Sequence, residues 1–231
     1  MANLASRATR PVRWRRYLRA ACFWLALALG AAAVAREIAG PLFYLLVLPP
    51  LALAGRDWGR AMGAREGGRL AERVSSKLSA ALGPDYVVLT EYAPRDGAAV
   101  VPLIVVGPSG IATIEPLGEN AMFGCYNDGW HRVEAQGLHH LPSSPSRRAR
   151  QNAARVRSDI SGGGHLRVSV EPYVLLVRGT GTDCASSTVP VVCGVDALAE
   201  RLLARSPRAE SSPRMVQAVA DALTRPLAVA V

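Results

Sequence analysis

Residues 100–117 read VVPLIVVGPSGIATIEPL. Two apolar runs rich in β-branched residues, 100–106 and 111–115, are separated by Gly107-Pro108-Ser109-Gly110. That composition is typical of a tight turn between antiparallel strands. The stretch therefore predicts a β-hairpin at the centre of the fold, and its second strand ends on the carboxylate of Glu115.

The runs on either side of this hairpin predict further helices and strands. We expect a helix over residues 70–82, because aliphatic residues recur there at three- and four-residue spacing and Gly83-Pro84 follows. We also predict strands over 86–91, 121–126, 130–133, 168–177 and 189–192, a sheet-edge turn at Asn127-Asp128-Gly129, a loop over 138–146, and helices that begin at Pro145, at an Asp196 cap and at Ser212-Pro213. This order predicts an α/β fold with a mixed sheet flanked by helices.

The N-terminal segment predicts a basic arm followed by a transmembrane helical hairpin. Residues 1–19 contain six arginines and no acid. Residues 20–35 and 38–54 carry no charge, and Arg36-Glu37 lies between them. Each run extends about 25 Å as a helix, slightly less than the roughly 30 Å core of a bilayer, and flanking arginines can reach the headgroups.

Three other interpretations fit parts of this segment. Ala33-Val34-Ala35 resembles the cleavage site of a signal peptide, although the second apolar run would anchor the chain. A buried helical hairpin of a soluble protein normally shows polar positions at helical spacing, and none occur here. Prolines at 41, 49 and 50 also allow a re-entrant second segment.

Charge predicts the topology and the domain boundaries. Because arginines crowd both outer flanks, the positive-inside rule predicts two spans in the plasma (inner) membrane with both termini in the cytoplasm. We divide the chain into an arm (1–19), a transmembrane hairpin (20–54), a glycine-rich linker (55–68) and a folded domain (69–231). Six of the nine net positive charges lie in the arm, so the basic composition is weak evidence for a nucleic-acid groove in the fold.

The central hairpin resembles the metal-binding hairpin of the restriction-endonuclease-like superfamily, and it is most similar to the nuclease-related (NERD) branch. The matching residues are IVVGPSG at 104–110 and Ile114-Glu115. The resemblance covers roughly residues 67–203. It implies a restriction-endonuclease-like mixed sheet flanked by helices.

The catalytic positions of that family are mostly replaced. The family's Asp corresponds to Pro102 and the Lys of its Glu-x-Lys motif to Leu117, so Glu115 is a catalytic remnant. The family's active-site Gln, which opens the helix after the hairpin, corresponds to Arg148, and Asn152 fits a later family position.

These replacements bear directly on catalysis. Phosphodiester hydrolysis of this type uses Mg²⁺ or Mn²⁺ held by carboxylates. One surviving carboxylate is a poor ligand set, so the sequence predicts no metal, no cofactor and no catalysis. An active nuclease with a relocated site is the alternative, and it requires a second acid near Glu115. The candidates are Glu72, Glu91, Asp96 and Glu119.

Basic residues on the helix after Pro145 are candidates for phosphate contacts, although a solvated face is the simpler interpretation. They are Arg147, Arg148, Arg150 and Arg155. The other reactive residues give weaker evidence for a functional site. The four cysteines lack the paired spacing of a metal or redox motif. The usual spacing of zinc ligands is also absent from His131, His139 and His140 with Cys125.

The predicted function is a membrane-anchored cytoplasmic module for binding or assembly, built on a degenerate nuclease-like domain. Its partners would be the lipid bilayer and either nucleic acid or an unknown protein. A relocated metal-dependent nuclease is the alternative. A third possibility is a domain that stabilises a partner within the bilayer.

Overall fold

The computed structural model describes residues 7–8, 13–38, 47–96, 99–161, 169–206 and 213–224. Its elements are β1 (Arg7–Ala8), α1 (Arg13–Ile38), α2 (Leu48–Leu82), β2 (Val87–Tyr92), β3 (Val101–Gly107), β4 (Gly110–Leu117), β5 (Met122–Tyr126), β6 (Gly129–Glu134), β7 (Gly137–His140), α3 (Pro145–Ser161), β8 (Val170–Leu176), β9 (Thr180–Asp183), β10 (Val191–Cys193), α4 (Val195–Leu203) and α5 (Pro213–Thr224). The chain divides into an N-terminal unit, Arg10–Arg69, and an α/β unit formed by Met1–Thr9 and Leu70–Val231.

The α/β unit is built on a six-stranded mixed sheet with the order β1-β2-β3-β4-β8-β10. Strand β3 is antiparallel to β2 and β4, whereas β8 is parallel to β4 and to β10. The predicted hairpin is confirmed, because Leu103 pairs with Ile114 and Gly107 with Gly110. A side chain at Gly107 would overlap the ring of Tyr86, so the turn needs glycine there for space.

Helices cover both faces of this sheet because successive side chains of a strand point in opposite directions. On one face, Leu103 and Val105 pack with α4 and the C-terminal part of α2. On the other face, Ile104 and Val106 pack with α3 and α5. The predicted α/β fold with a mixed sheet flanked by helices is therefore confirmed at this level.

A second sheet with the order β7-β6-β5-β9 lies in the same unit. The predicted turn between β5 and β6 is confirmed, and Asn127 and Asp128 adopt φ of 47° and 60°, as a two-residue type I′ turn requires. The expectation that this turn lies at a sheet edge was wrong, because β5 and β6 are the two inner strands of the second sheet. The predicted loop over 138–146 was also wrong in part, since it contains most of β7, a short exposed strand without the alternation that signals strands.

The cap of α4 also differs from the prediction. Gly194, with φ of 90°, is the N-cap residue, and it makes no side-chain cap hydrogen bond. Asp196 lies in the first turn instead. Glycine adopts this backbone conformation at little cost, and the carboxylate still faces the positive end of the helix dipole. The last helix, α5, begins at Pro213, and Ser212 lies outside the described residues.

In the N-terminal unit, α1 contains a stretch long and apolar enough to cross a membrane, Tyr17–Val34. Its large side chains, including Phe23 and Leu29, are exposed, whereas Ala21 and Ala28 are buried. The predicted second span is described only from Val47 onward, because residues 39–46 lie outside the described part. Within the described residues, no second stretch of this kind occurs.

Helix α2 runs without a break from Leu48 to Leu82. This corrects two expectations, a glycine-rich linker over 55–68 and a new helix at residue 70. Each glycine disfavours a helix by about 1 kcal/mol relative to alanine. The residues between these glycines are mainly alanine, arginine, methionine and glutamate, which favour helix, and no proline follows Pro50 until the helix has ended. The division between the two units falls inside this helix, after Arg69.

Candidate functional site

The site centres on Glu115, near the end of β4, whose side chain is 10% exposed. Two side chains of α3 bind it. The Nε of Arg148 donates to Oε1 over 2.8 Å, and the Nδ2 of Asn152 donates to Oε2 over 3.1 Å. Residues four apart on a helix share a face, so α3 presents both donors to the same carboxyl group. Each carboxylate oxygen therefore has a donor.

Arg148 is held at a second point and remains partly in solvent. Its guanidinium also donates to the hydroxyl of Ser143 in the loop before α3. Its side chain is 41% exposed, whereas Asn152 is buried. One side of the ion pair is thus closed by protein and the other side meets water.

The electrostatics of Glu115 reflect this mixed environment. Burial raises the pKa of the Glu115 carboxyl, and the charge and hydrogen bond of Arg148 oppose that rise, as does the amide of Asn152. A buried carboxylate is stable only when it is paired and hydrogen-bonded. The guanidinium therefore supplies the positive charge that balances this buried carboxylate.

Pro102 and Leu117, which the resemblance aligns with an Asp and a Lys, offer no further ligand. Pro102 on β3 has an apolar ring, and Leu117 on β4 packs against a cluster that contains Phe123 and Trp130. Among the described residues, no group of three or more His, Cys, Asp or Glu is arranged to hold a metal. The polar partners of Glu115 in the described part of the chain are Arg148 and Asn152.

Two of the candidate acids lie together elsewhere. Burial raises the pKa of the Glu91 carboxyl, and the charge of Glu72 raises it further. Glu72 lies on α2, which packs on one face of the main sheet, whereas the partners of Glu115 lie on α3, which packs on the opposite face. Glu91 also has a φ of 54°, which is uncommon for a residue in a strand.

The other two candidate acids are each close to an arginine. Asp96 lies 3.6 Å from the Nε of Arg155, and Glu119 lies 3.1 Å from Arg132. These pairs are partly exposed, so each contributes little to stability.

Three of the four predicted phosphate-binding arginines make contacts within the protein. Besides Arg148 and Arg155, Arg150 lies 2.8 Å from Asp128 and also contacts Thr188. Burial alone would raise the pKa of Asp128, but hydrogen bonds from Thr188 and the charge of Arg150 lower it on balance. Arg147 is exposed, and the described part of the chain contains no ion pair to it.

Two of the three histidines considered above lie side by side in the structure. His131 on β6 and His140 on β7 are directly opposite each other, with ring centres 4.9 Å apart. His139 instead lies 3.3 Å from Glu134. Cys125 on β5 is buried in a cluster with Phe123 and Trp130, and burial raises the pKa of its thiol. The sequence offered no signal for the His131–His140 pair, because most of β7 was predicted as a loop and strand register decides which residues face each other.

Comparison of the chain with protein-family models, with curated proteins and with solved structures finds no match. Membership of the NERD branch therefore stays a prediction from the hairpin residues.

Proposed function

We propose that this chain is a membrane-anchored, nuclease-related domain that has lost catalysis and acts as a module for binding or assembly. The main support for this proposal is that both carboxylate oxygens of Glu115 already accept hydrogen bonds from other side chains. Arg148 and Asn152 engage its two oxygens, so a cation that approached this group would have to displace a buried hydrogen bond and an ion pair.

The architecture supports the nuclease-related part of the proposal. The order of a helix, three strands, a helix, two strands of the main sheet and a helix agrees with the order that the resemblance implies. Glu115 lies on the second strand of the hairpin, and the helix that follows contacts it through Arg148, at the position of the family's active-site Gln. The restriction-endonuclease-like fold remains part of the proposal.

Exposed apolar residues support membrane anchoring. Of the 18 residues of Tyr17–Val34, 11% are buried. Phe23, Leu25 and Leu29 face outward, a distribution that suits lipid better than water. The proposal keeps two spans and places both termini in the cytoplasm. Reporter enzymes fused to the C-terminus test this topology, and activity only of a reporter that works outside the cytoplasm would contradict it.

The partner remains either nucleic acid or protein. Arg148, Arg150 and Arg155 are already engaged, so phosphate binding would have to compete with Glu115, Asp128 and Asp96. Exposed apolar side chains on the second sheet, Tyr126 and Leu138, offer a protein-binding alternative.

Cleavage and binding assays on the full chain in detergent test the proposal. Labelled single- and double-stranded DNA and RNA are incubated with Mg²⁺ or Mn²⁺, beside a Glu115→Ala control. We expect no metal-dependent cleavage. Fluorescence anisotropy over a salt series tests nucleic-acid binding, and Arg147→Ala should weaken any such binding. Any cutting that requires metal would overturn the proposal, and the Glu115→Ala control would then show whether Glu115 takes part in it.

Among the described residues, the hydrogen-bond partners of Glu115 include no second acid, so the alternative of a relocated nuclease site around Glu115 gains no support from its contacts. A different second candidate is a nuclease whose site lies away from Glu115, at Glu72 and Glu91. Glu72 and Glu91 lie close enough for the charge of one to raise the pKa of the other, which is the kind of carboxylate pair that can share Mg²⁺ or Mn²⁺. That version predicts metal-dependent cleavage that is lost in Glu91→Gln but retained in Glu115→Gln.

A further inference from the structure

Two histidines form a pair on adjacent strands of the second sheet. His131 on β6 pairs in register with His140 on β7, so both side chains project from the same face of the sheet. Their ring centres lie 4.9 Å apart. His140 is exposed and His131 half-buried, so solvent reaches the pair.

The hydrogen bonding of His140 leaves one nitrogen available for a ligand. Its Nδ1 lies 2.7 Å from the carbonyl oxygen of Leu141. A carbonyl only accepts hydrogen bonds, so in the neutral imidazole Nδ1 carries the proton and Nε2 has the lone pair. Metal-binding histidines are commonly oriented in this way, with the other ring nitrogen donating to a backbone carbonyl.

The spacing of the rings suits a shared metal ion. Zinc binds imidazole nitrogen at about 2.0–2.1 Å, which puts the centres of two rings on one tetrahedral ion roughly 5 Å apart. We propose that His131 and His140 form a site for a borderline divalent transition metal such as zinc, with water filling the remaining positions. Imidazole also suits nickel and copper.

Metal at this site would tie the outer strand of the sheet to its neighbour. All four residues of β7 are exposed, and β6 is its one partner strand among the described residues. A metal bridge from His140 to His131 would therefore hold an edge that otherwise depends on the backbone hydrogen bonds of a short hairpin. This inference is independent of the proposed function.

Zinc titration of the full chain in detergent tests the site. Isothermal titration calorimetry with zinc chloride is performed on the unaltered protein, His131→Gln and His140→Gln. The matched control is His139→Gln, which removes the neighbouring histidine that pairs with Glu134. We expect either paired variant to lose on the order of tenfold or more in zinc affinity. The control should keep the affinity of the unaltered protein.

A second measurement counts the ligands directly. Electron paramagnetic resonance of bound copper(II) should report two imidazole nitrogens in the unaltered protein and one in His140→Gln, a change in an exposed strand that leaves the core intact. Zinc affinity unchanged in both paired variants, an equal loss in His139→Gln, or a copper signal with fewer than two imidazoles would each overturn the site.

Discussion

The side chain of Arg148 decides the chemistry of its surroundings more than any other single residue. It lies where the family resemblance implies an active-site glutamine, and its charge is directed at Glu115 over 2.8 Å. A glutamine would leave the carboxylate free to attract a cation, whereas a guanidinium neutralises it. In this chain, the carboxylate of Glu115 is therefore half of an ion pair.

Removing this guanidinium should destabilise the fold in a pH-dependent way. We expect Arg148→Met to lower the free energy of unfolding by about 1–3 kcal/mol at pH 7, because a buried carboxylate loses its counter-charge. The loss should shrink near pH 4, where the unpaired Glu115 takes up a proton. Urea unfolding at both pH values, followed by circular dichroism, measures it. The exposed Arg147→Met is the matched control and should change stability by less than about 0.5 kcal/mol.

The partly buried carboxyl group of Glu91 gives a second test of how a charged group affects stability. Burial and then Glu72 raise the pKa of Glu91 above its ordinary value of 4.5. An acid with a raised pKa in the folded state supports stability below its ordinary pKa and loses that contribution as pH rises through the folded-state value. Glu91→Gln should therefore melt higher than the unaltered protein at pH 7, and the difference should vanish near pH 4. Glu200→Gln removes the same charge from an exposed position and controls for net charge.

At the scale of elements, a small polar network joins the second sheet to α3. The indole Nε1 of Trp130 on β6 donates to the Oγ of Ser146 over 2.7 Å. Ser146 also lies 3.0 Å from the hydroxyl of Ser187, in the loop between β9 and β10. Trp130 and Ser146 are both buried, so the network fixes the position of β6 against the first turn of α3.

Breaking this network should loosen the second sheet. Ser146→Ala leaves the buried indole N–H without its acceptor, which costs about 1–3 kcal/mol. Thermal unfolding measures the loss, and acrylamide should quench the tryptophan fluorescence of the variant more strongly than that of the unaltered protein. Ser158→Ala makes the same change at an exposed position of α3 and should have almost no effect. Equal losses in the two variants would contradict a specific role for the network.

At the scale of the whole molecule, the contrast between the two units is one of surface chemistry. The α/β unit buries its leucines and isoleucines between sheet and helices, whereas α1 buries alanines and exposes leucines and phenylalanine. Large apolar side chains that face outward along 18 residues are stable in lipid and costly in water.

Placing charge on this surface should release the chain from membranes. Leu25→Arg combined with Leu27→Arg puts two charges near the middle of the apolar stretch, at a cost of about 3 kcal/mol each for insertion. We expect the double variant to leave the carbonate-resistant membrane fraction. Leu203→Arg alters an exposed leucine of α4 and should leave fractionation unchanged. Retention of the double variant would argue against α1 as the anchor.

Local patterns in the sequence predicted the elements well where at least one face of an element is buried. The hairpin around Gly107, the strand β8 and the helix that begins at Pro145 follow from periodicity and turn residues. Strand β7 was not predicted, because it has no buried face. Helix α2 was predicted to be interrupted at its glycines, but the helix-forming residues between these glycines continue it.

Contacts across long stretches of sequence were harder to predict. The family resemblance put Arg148 in the neighbourhood of Glu115, but the ion pair itself depends on how α3 lies on the sheet. The pairing of His131 with His140 depends on strand register, which is fixed by the turn between the strands. Spacing along the chain carries no direct information about either contact.

The parallel pairing of β4 with β8 has a kinetic consequence. Glu115 lies opposite Val174 in the register, so this pairing joins residues roughly sixty positions apart and closes a large loop. The loop contains β5, β6, β7 and α3, which form through shorter-range contacts. If these local structures form first, they shorten the effective loop and lower its closure entropy. The pairing of β8 with β4 should then limit the rate of folding. Ser146→Ala should therefore slow refolding as well as accelerate unfolding.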